Sequence, residues 1–184
     1  MDRLPDRVES ERLTLRRWEH DQAAVLQAAV AASIDHLRPW MRWVAFEPLT
    51  MAERVSLIEG WTREWEAGGD AVYGVFLDGE AIGGCGLHRR GAANELEIGY
   101  WIAGAHTRQG YATELTASLT DTALTVDGID RVLVVTDEAN TASANVPDKL
   151  GFARERVELR EPNAPGETGR MIIWTATSSV RHQM

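Results

Sequence analysis

The stretch from Glu95 to residue 136 constrains the fold of this chain more than any other part of it. Glu95–Ile102 reads as a strand, residues 110–126 place Leu115, Leu119, Ala123 and Val126 on one helical face, and residues 131–136 form a Val-rich run typical of a buried strand. A helical crossover between two strands sets a mixed α/β sheet. Just before the helix lies Arg108-Gln109-Gly110-Tyr111-Ala112-Thr113. Its backbone N–H groups can converge on an anion at the positive end of the helix, and Gly110 permits close approach of a ligand. Taken alone, an ordinary turn with Gly at a helix start is the preferred reading. The segment is too short for the G-x-G-x-x-G fingerprint and lacks the P-loop Lys.

The remaining elements fall around this unit. Residues 11–18 alternate in polarity about Leu13 and Leu15 and read as a first strand. Residues 21–33 are rich in Ala, Val, Leu and Gln and should be helical, followed by a Trp-bearing segment that Pro39 bends. Thr50 is the expected N-cap of a helix with Glu53 three residues on and Met51, Val55, Ile58, Trp61 and Trp65 along one side, closed by Gly68-Gly69. Two strand-like runs, residues 71–77 and 81–88, flank the hairpin signal Asp78-Gly79-Glu80. A short helix over 143–150 precedes strands at 152–159 and 170–175, with a Pro- and Gly-bearing loop between them. The sum is one α/β (α+β) domain over 1–184, with a mostly antiparallel mixed sheet of about seven strands flanked by helices.

Charge and cysteine content narrow the function classes. A net charge of −9 argues against nucleic acid as a ligand, and an acidic surface suits an amine-bearing partner or simply solubility. Cys85 is the one cysteine, inside a strand-like run, and reads as a buried thiol in a reducing compartment. No metal-ligand spacing is present. The charged start Met1-Asp2-Arg3 lacks the apolar run of a secretory signal, and no stretch has the length of a membrane span, so a cytoplasmic location is expected.

Two blocks resemble a known family. Glu97-Ile98-Gly99-Tyr100-Trp101-Ile102 followed by Arg108 to Glu114 is similar to the central motif of the GNAT acetyltransferases. Asn140-Thr141-Ala142-Ser143, running on to Lys149-Leu150-Gly151-Phe152, is similar to the family's N-x-x-S-x-x-V-x-x-K-L-G-F segment. Further upstream, His36-Leu37-Arg38-Pro39-Trp40 resembles the "HL-x-PW" element of the RimJ/RimL branch, which acetylates ribosomal-protein N-termini. Thr107 departs from the Gln or Arg often found at that point of the loop, and the region 160–174 lacks an Asp-containing final strand.

The resemblance implies a sheet splayed at the cofactor site, with acetyl-CoA as co-substrate and no metal. It places the cofactor along Tyr100, Trp101 and Ile102, in the loop Arg108, Gln109, Gly110, Tyr111, Ala112 and Thr113, and at Asn140. A bulge near Gly99 is expected to free a backbone N–H for the thioester carbonyl, packing being the equal alternative. Glu97 is the expected base, acting directly or through water, with a solvated strand edge as the alternative. Ser143 matches the proton donor to the leaving thiolate, and also suits a helix cap. Trp40 and Trp43 are expected over the acceptor site, whereas Trp61 and Trp65 read first as core. His36 and His106 read as surface residues.

The expected reaction is direct acetyl transfer to a primary amine, either a protein N-terminus or a small amine. An α-amino group is about a tenth neutral at pH 7 and a Lys amine under about one part in a thousand, so the former asks less of a base. A CoA-binding module without turnover, a longer acyl group and a homodimer stay open at this level.

Overall fold

The computed structural model describes residues 3–178; Met1 and Asp2 of the charged N-terminus lie outside them. The strands are β1 (Arg7–Glu9), β2 (Leu13–Arg17), β3 (Ala71–Leu77), β4 (Glu80–His88), β5 (Glu95–Ile102), β6 (Arg131–Asp137), β7 (Ala153–Leu159) and β8 (Arg170–Thr177). The helices are α1 (Ala23–Ala31), α2 (Ile34–Leu37), α3 (Met51–Glu66), α4 (Tyr111–Ala123) and α5 (Thr141–Lys149). All eight strands join one sheet in the order β1-β2-β3-β4-β5-β6-β8-β7. Only β5 and β6 run parallel, because α4 carries the chain from one to the other.

The sheet has eight strands rather than about seven. The unanticipated one, β1, is three residues long and buries only Val8, so it carries no readable alternation. It pairs with β2 through Arg7↔Arg16 and Val8↔Leu15.

Each face of the sheet is covered. Leu96 and Ile98 of β5, Leu115 and Leu119 of α4 and Val132 and Val134 of β6 share one apolar cluster. Trp18, Leu26 and Val30 of α1, Ile58 of α3 and Phe76 of β3 form a second. The α3 start is built as its sequence predicts. Glu53 N–H donates to Thr50 Oγ1 at 3.3 Å and Thr50 N–H donates to Glu53 Oε2 at 2.7 Å, closing a capping box.

The β3–β4 hairpin turns through Asp78 (φ 49°) and Gly79 (φ 86°), the left-handed pair that a two-residue turn needs. Its register then changes. Leu77↔Glu80 and Phe76↔Ala81 give way, past the extra residue Ile82, to Val75↔Gly83, Gly74↔Gly84 and, at the far end, Ala71↔Leu87. This bulge sets which β4 side chains share a face with β3, and the site depends on it.

Candidate active site

Strands β5 and β6 diverge at the centre of the sheet. Their pairing runs from Glu95↔Arg131 to Ile98↔Val134 and ends there, although β5 continues to Ile102 and β6 to Asp137. Among the described residues, residues 99–102 therefore present one backbone edge with no strand beside it. On the other edge β5 stays in continuous register with β4, through Gly86↔Gly99 to Gly83↔Ile102. The bulge expected near Gly99 is absent; divergence of the neighbouring strand opens the backbone instead.

The loop after β5 leads into the α4 N-terminus. Arg108 (φ 62°) and Gly110 (φ 85°) are both left-handed, a costly conformation for Arg108 and an easy one for Gly110. The first bond back into the turn is Glu114 N–H to Gly110 O at 3.0 Å. Among the described residues, the N–H groups from Arg108 to Thr113 thus have no backbone acceptor, and they cluster at the positive end of a thirteen-residue helix.

Arg12, at the start of β2, braces this loop from below. Its guanidinium lies 4.5 Å from the Tyr111 ring centroid, donates to Gln109 O at 3.2 Å and pairs with Glu114 at 2.7 Å. Glu114 also accepts from Ser10 Oγ at 2.6 Å and from Arg12 N–H at 2.7 Å. Burial pushes the Glu114 carboxyl up, but the bonds from Ser10 and Arg12 outweigh it and hold it below its ordinary value. Thr107 turns its hydroxyl inward to Gly104 O at 2.9 Å.

Asn140 and Ser143 sit across the divergence on α5. Asn140 is the N-cap: its side chain accepts from Ser143 N–H at 3.2 Å. Ser143 is therefore not the cap, because the helix begins two residues earlier. Its Oγ lies 3.2 Å from the Tyr100 hydroxyl, which also donates to Ser143 O at 3.1 Å. Burial pushes the Tyr100 hydroxyl up to about 12, partly offset by the Ser143 bond, so it stays protonated at neutral pH.

The opposite face of β4 and β5 carries a pair of side chains that sequence reasoning missed. His88 Nδ1 lies 2.7 Å from Asp70 Oδ2, and Asp70 Oδ1 accepts from Arg89 N–H at 2.8 Å. With Nδ1 donating to the carboxylate, Nε2 is left to accept. The ring crosses the Gly86↔Gly99 pair; a Cβ on Gly86 would lie 2.7 Å from His88 Nε2 and one on Gly99 3.4 Å. Burial pushes the Asp70 carboxyl up, and bonds from His88 and Arg89 more than offset this. Glu97 lies opposite His88 in the ladder, and its carboxylate is engaged by Arg90 at 2.9 Å. The readable signal was the glycine run ahead of His88 on one strand. Asp70 was hidden, because only the bulge at Ile82 brings it level with His88.

From His88 and Gly99 a cavity of ≈ 680 Å³ extends between the sheet and the helices. Trp43 lines it and meets Trp101, with ring centroids 6.1 Å apart. Trp40 is placed elsewhere, against Gly166 of the β7–β8 loop, whose N–H donates to Pro39 O at 2.8 Å. Trp61 packs against the second apolar cluster, in keeping with its expected core role, and also lines the cavity, whereas Trp65 is structural: its indole N–H donates to Leu4 O at 2.6 Å. Cys85 is buried, and burial raises its thiol well above its usual value. Among the described residues no group of three or more His, Cys, Asp or Glu is placed to hold a metal ion, and no helix is long and apolar enough to cross a membrane.

Comparison with known proteins agrees with this geometry. Residues 12–153 match the family model described as an acetyltransferase (GNAT) domain. The chain is 26% identical over 147 residues to the Bacillus subtilis (strain 168) protein named "Putative ribosomal N-acetyltransferase YdaF", covering 79% of this chain and 80% of that one. Mycobacterium smegmatis RimJ, solved in complex with CoA-disulfide, superposes with a TM-score of 0.82 at 26% identity, over 95% of this chain and 88% of that one. RimL, a ribosomal L7/L12 alpha-N-protein acetyltransferase solved with coenzyme A, superposes with a TM-score of 0.83 over 96% of this chain and 98% of that one. At 19% identity it shows a likeness of fold alone.

Proposed function

The chain belongs to the GNAT acetyltransferase family, and we propose that it moves an acetyl group from acetyl-CoA directly to a primary amine within a ternary complex. The observation that carries this reading is the unpaired edge of β5 at residues 99–102, opening beside the free N–H groups of Arg108 to Thr113. An extended amide-bearing arm fits the first as an added strand, and a pyrophosphate fits the second. Tyr100, Trp101 and Ile102 would carry the arm, and Arg108, Gln109, Gly110, Tyr111, Ala112 and Thr113 the pyrophosphate. Asn140 would act through the α5 cap it makes, which fixes Ser143.

In the reaction the amine nitrogen attacks the thioester carbonyl carbon, a C–N bond forms, the C–S bond breaks and the thiolate leaves with a proton. The protonated Tyr100 hydroxyl and Ser143 Oγ, 3.2 Å apart, form a donor pair for that thiolate. On the acceptor side we assign proton removal to His88, whose Nε2 lies over the Gly86↔Gly99 pair and whose Nδ1 is held by Asp70. Glu97 shares that face and supplies negative charge near the amine, while its salt bridge to Arg90 limits its use as a base.

Titration with CoA and a thiol-release assay with acetyl-CoA and an amine panel test the reading. Gly110→Asp puts a side chain 3.5 Å from Arg12 Nη2 at a left-handed φ of 85°, straining the loop and adding negative charge at the helix start, and should weaken CoA binding at least about tenfold. CoA affinity unchanged in this variant, or no thiol release with any amine, would overturn it.

A further inference from the structure

We infer that the acceptor is a primary amine carried on a bulky apolar body, of the size and class of the arylalkylamines, seated in the cavity between β3–β5 and helices α1 and α3. The inference rests on the acetyl-transfer reading and names the substrate class of that same site.

Polarity along the cavity is one-sided. Its inner walls are Trp18, Leu26, Trp43, Leu57, Trp61 and Trp101. Glycines on the floor let the rings lie flat: a Cβ on Gly84 would lie 2.5 Å from Trp101 Nε1, and one on Gly74 2.7 Å from Trp18 Cζ2. Four indoles around one space are suited to an aromatic or aliphatic body and offer few hydrogen bonds. At ≈ 680 Å³ the space lies within the usual range for a small-molecule pocket.

Charge inside the cavity is already satisfied. Both Glu47 oxygens lie 2.7 Å from Arg54 Nη2, and Glu47 Oε2 also accepts from Leu49 N–H at 3.0 Å. Arg54 Nε donates to Gln27 Oε1 at 2.9 Å, and Gln27 Nε2 donates to Leu49 O at 2.9 Å. The Arg54 and Glu47 side chains are only 2% and 4% exposed. This ion pair braces the wall and leaves no carboxylate for a second ammonium. A polyamine or aminoglycoside would therefore place an unpaired charge among the indoles. At the other end the polar side chains that line the cavity are His88 and Arg90, each held by its carboxylate partner, Asp70 and Glu97. One amine head at His88 and an apolar remainder is the arrangement this polarity matches.

Binding is tested without turnover, by titrating the CoA-loaded protein with 2-phenylethylamine, putrescine and a Ser-initiated peptide, reading heat and tryptophan fluorescence. 2-Phenylethylamine is expected to bind at least about tenfold tighter than putrescine or the peptide. Trp61→Ala should weaken it about tenfold. Leu57→Asp, which introduces the missing carboxylate, should weaken 2-phenylethylamine and tighten putrescine, a reversal that misfolding cannot produce. Putrescine or the peptide binding as tightly as 2-phenylethylamine, or no reversal in Leu57→Asp, would overturn the inference. Thiol release separates the two readings: acetylation of polar amines alone defeats the substrate class and leaves acetyl transfer standing. Tight binding of 2-phenylethylamine with no acetylation of any amine defeats acetyl transfer and supports the assigned ligand class.

Discussion

At the scale of single residues, the proposed acceptor side turns on His88 and Glu97, which face each other across β4 and β5 but have different partners. Asp70 holds one imidazole nitrogen at 2.7 Å and leaves the other over Gly99, whereas the Glu97 carboxylate is engaged by Arg90. His88→Gln is expected to lower kcat by about 10²-fold, the usual contribution of a general base. Glu97→Gln should mainly raise the amine KM, by a few-fold, and leave kcat nearly unchanged. Steady-state kinetics with saturating acetyl-CoA checks both. If Glu97→Gln loses kcat and His88→Gln keeps it, the two roles are exchanged. Ser143 illustrates how a residue type leaves its role open: serine caps helices and donates protons, and here Asn140 makes the cap, freeing the Ser143 hydroxyl to meet Tyr100.

At the scale of elements, α3 links stability to the tryptophan-lined cavity, since it carries Arg54, Leu57 and Trp61. Its capping box satisfies two N–H groups that the helix itself cannot. Thr50→Ala should cost about 1 kcal/mol, seen as a melting temperature lower by about 2–4 °C. The same variant should weaken amine binding more than CoA binding, because α4 and its loop sit on the other face of the sheet. Both ends of α3 were readable, from Thr50 and Glu53 at one end and Gly68-Gly69 at the other. Which of its two interior-facing tryptophans lines the cavity was not readable, because period 3.6 gives a face but no neighbours. Trp65 reaches Leu4, sixty-one residues back in the chain.

At the scale of the whole molecule, several carboxylates tie distant segments together and make the fold sensitive to acid. Asp137, at the end of β6, accepts from Ala139 N–H, Thr168 N–H, Thr168 Oγ1 and Gly169 N–H at 2.9–3.0 Å, anchoring the loop that leads into β8. Burial pushes its carboxyl up, but these donors hold it below its ordinary value, and the same sign applies to Glu114 and Asp70. A carboxyl lowered by folding contributes stability that is complete above the unfolded-state pKa, near 4. That contribution is lost as pH falls through the lower folded value. Asp137→Asn should cost about 2 kcal/mol or more at pH 7 and flatten the loss of stability below about pH 4, as measured by urea unfolding across pH. By itself the sequence determined the order of the main elements other than β1, the crossover through α4, the α3 cap and the glycine turn that opens α4, because each rests on contacts within a few residues. Tertiary structure alone decided where β5 and β6 part, that Asp70 stands beside His88, and that four tryptophans from separate elements enclose one cavity. Those outcomes depend on strand register, and a single extra residue at Ile82 moves every side chain beyond it to the other face.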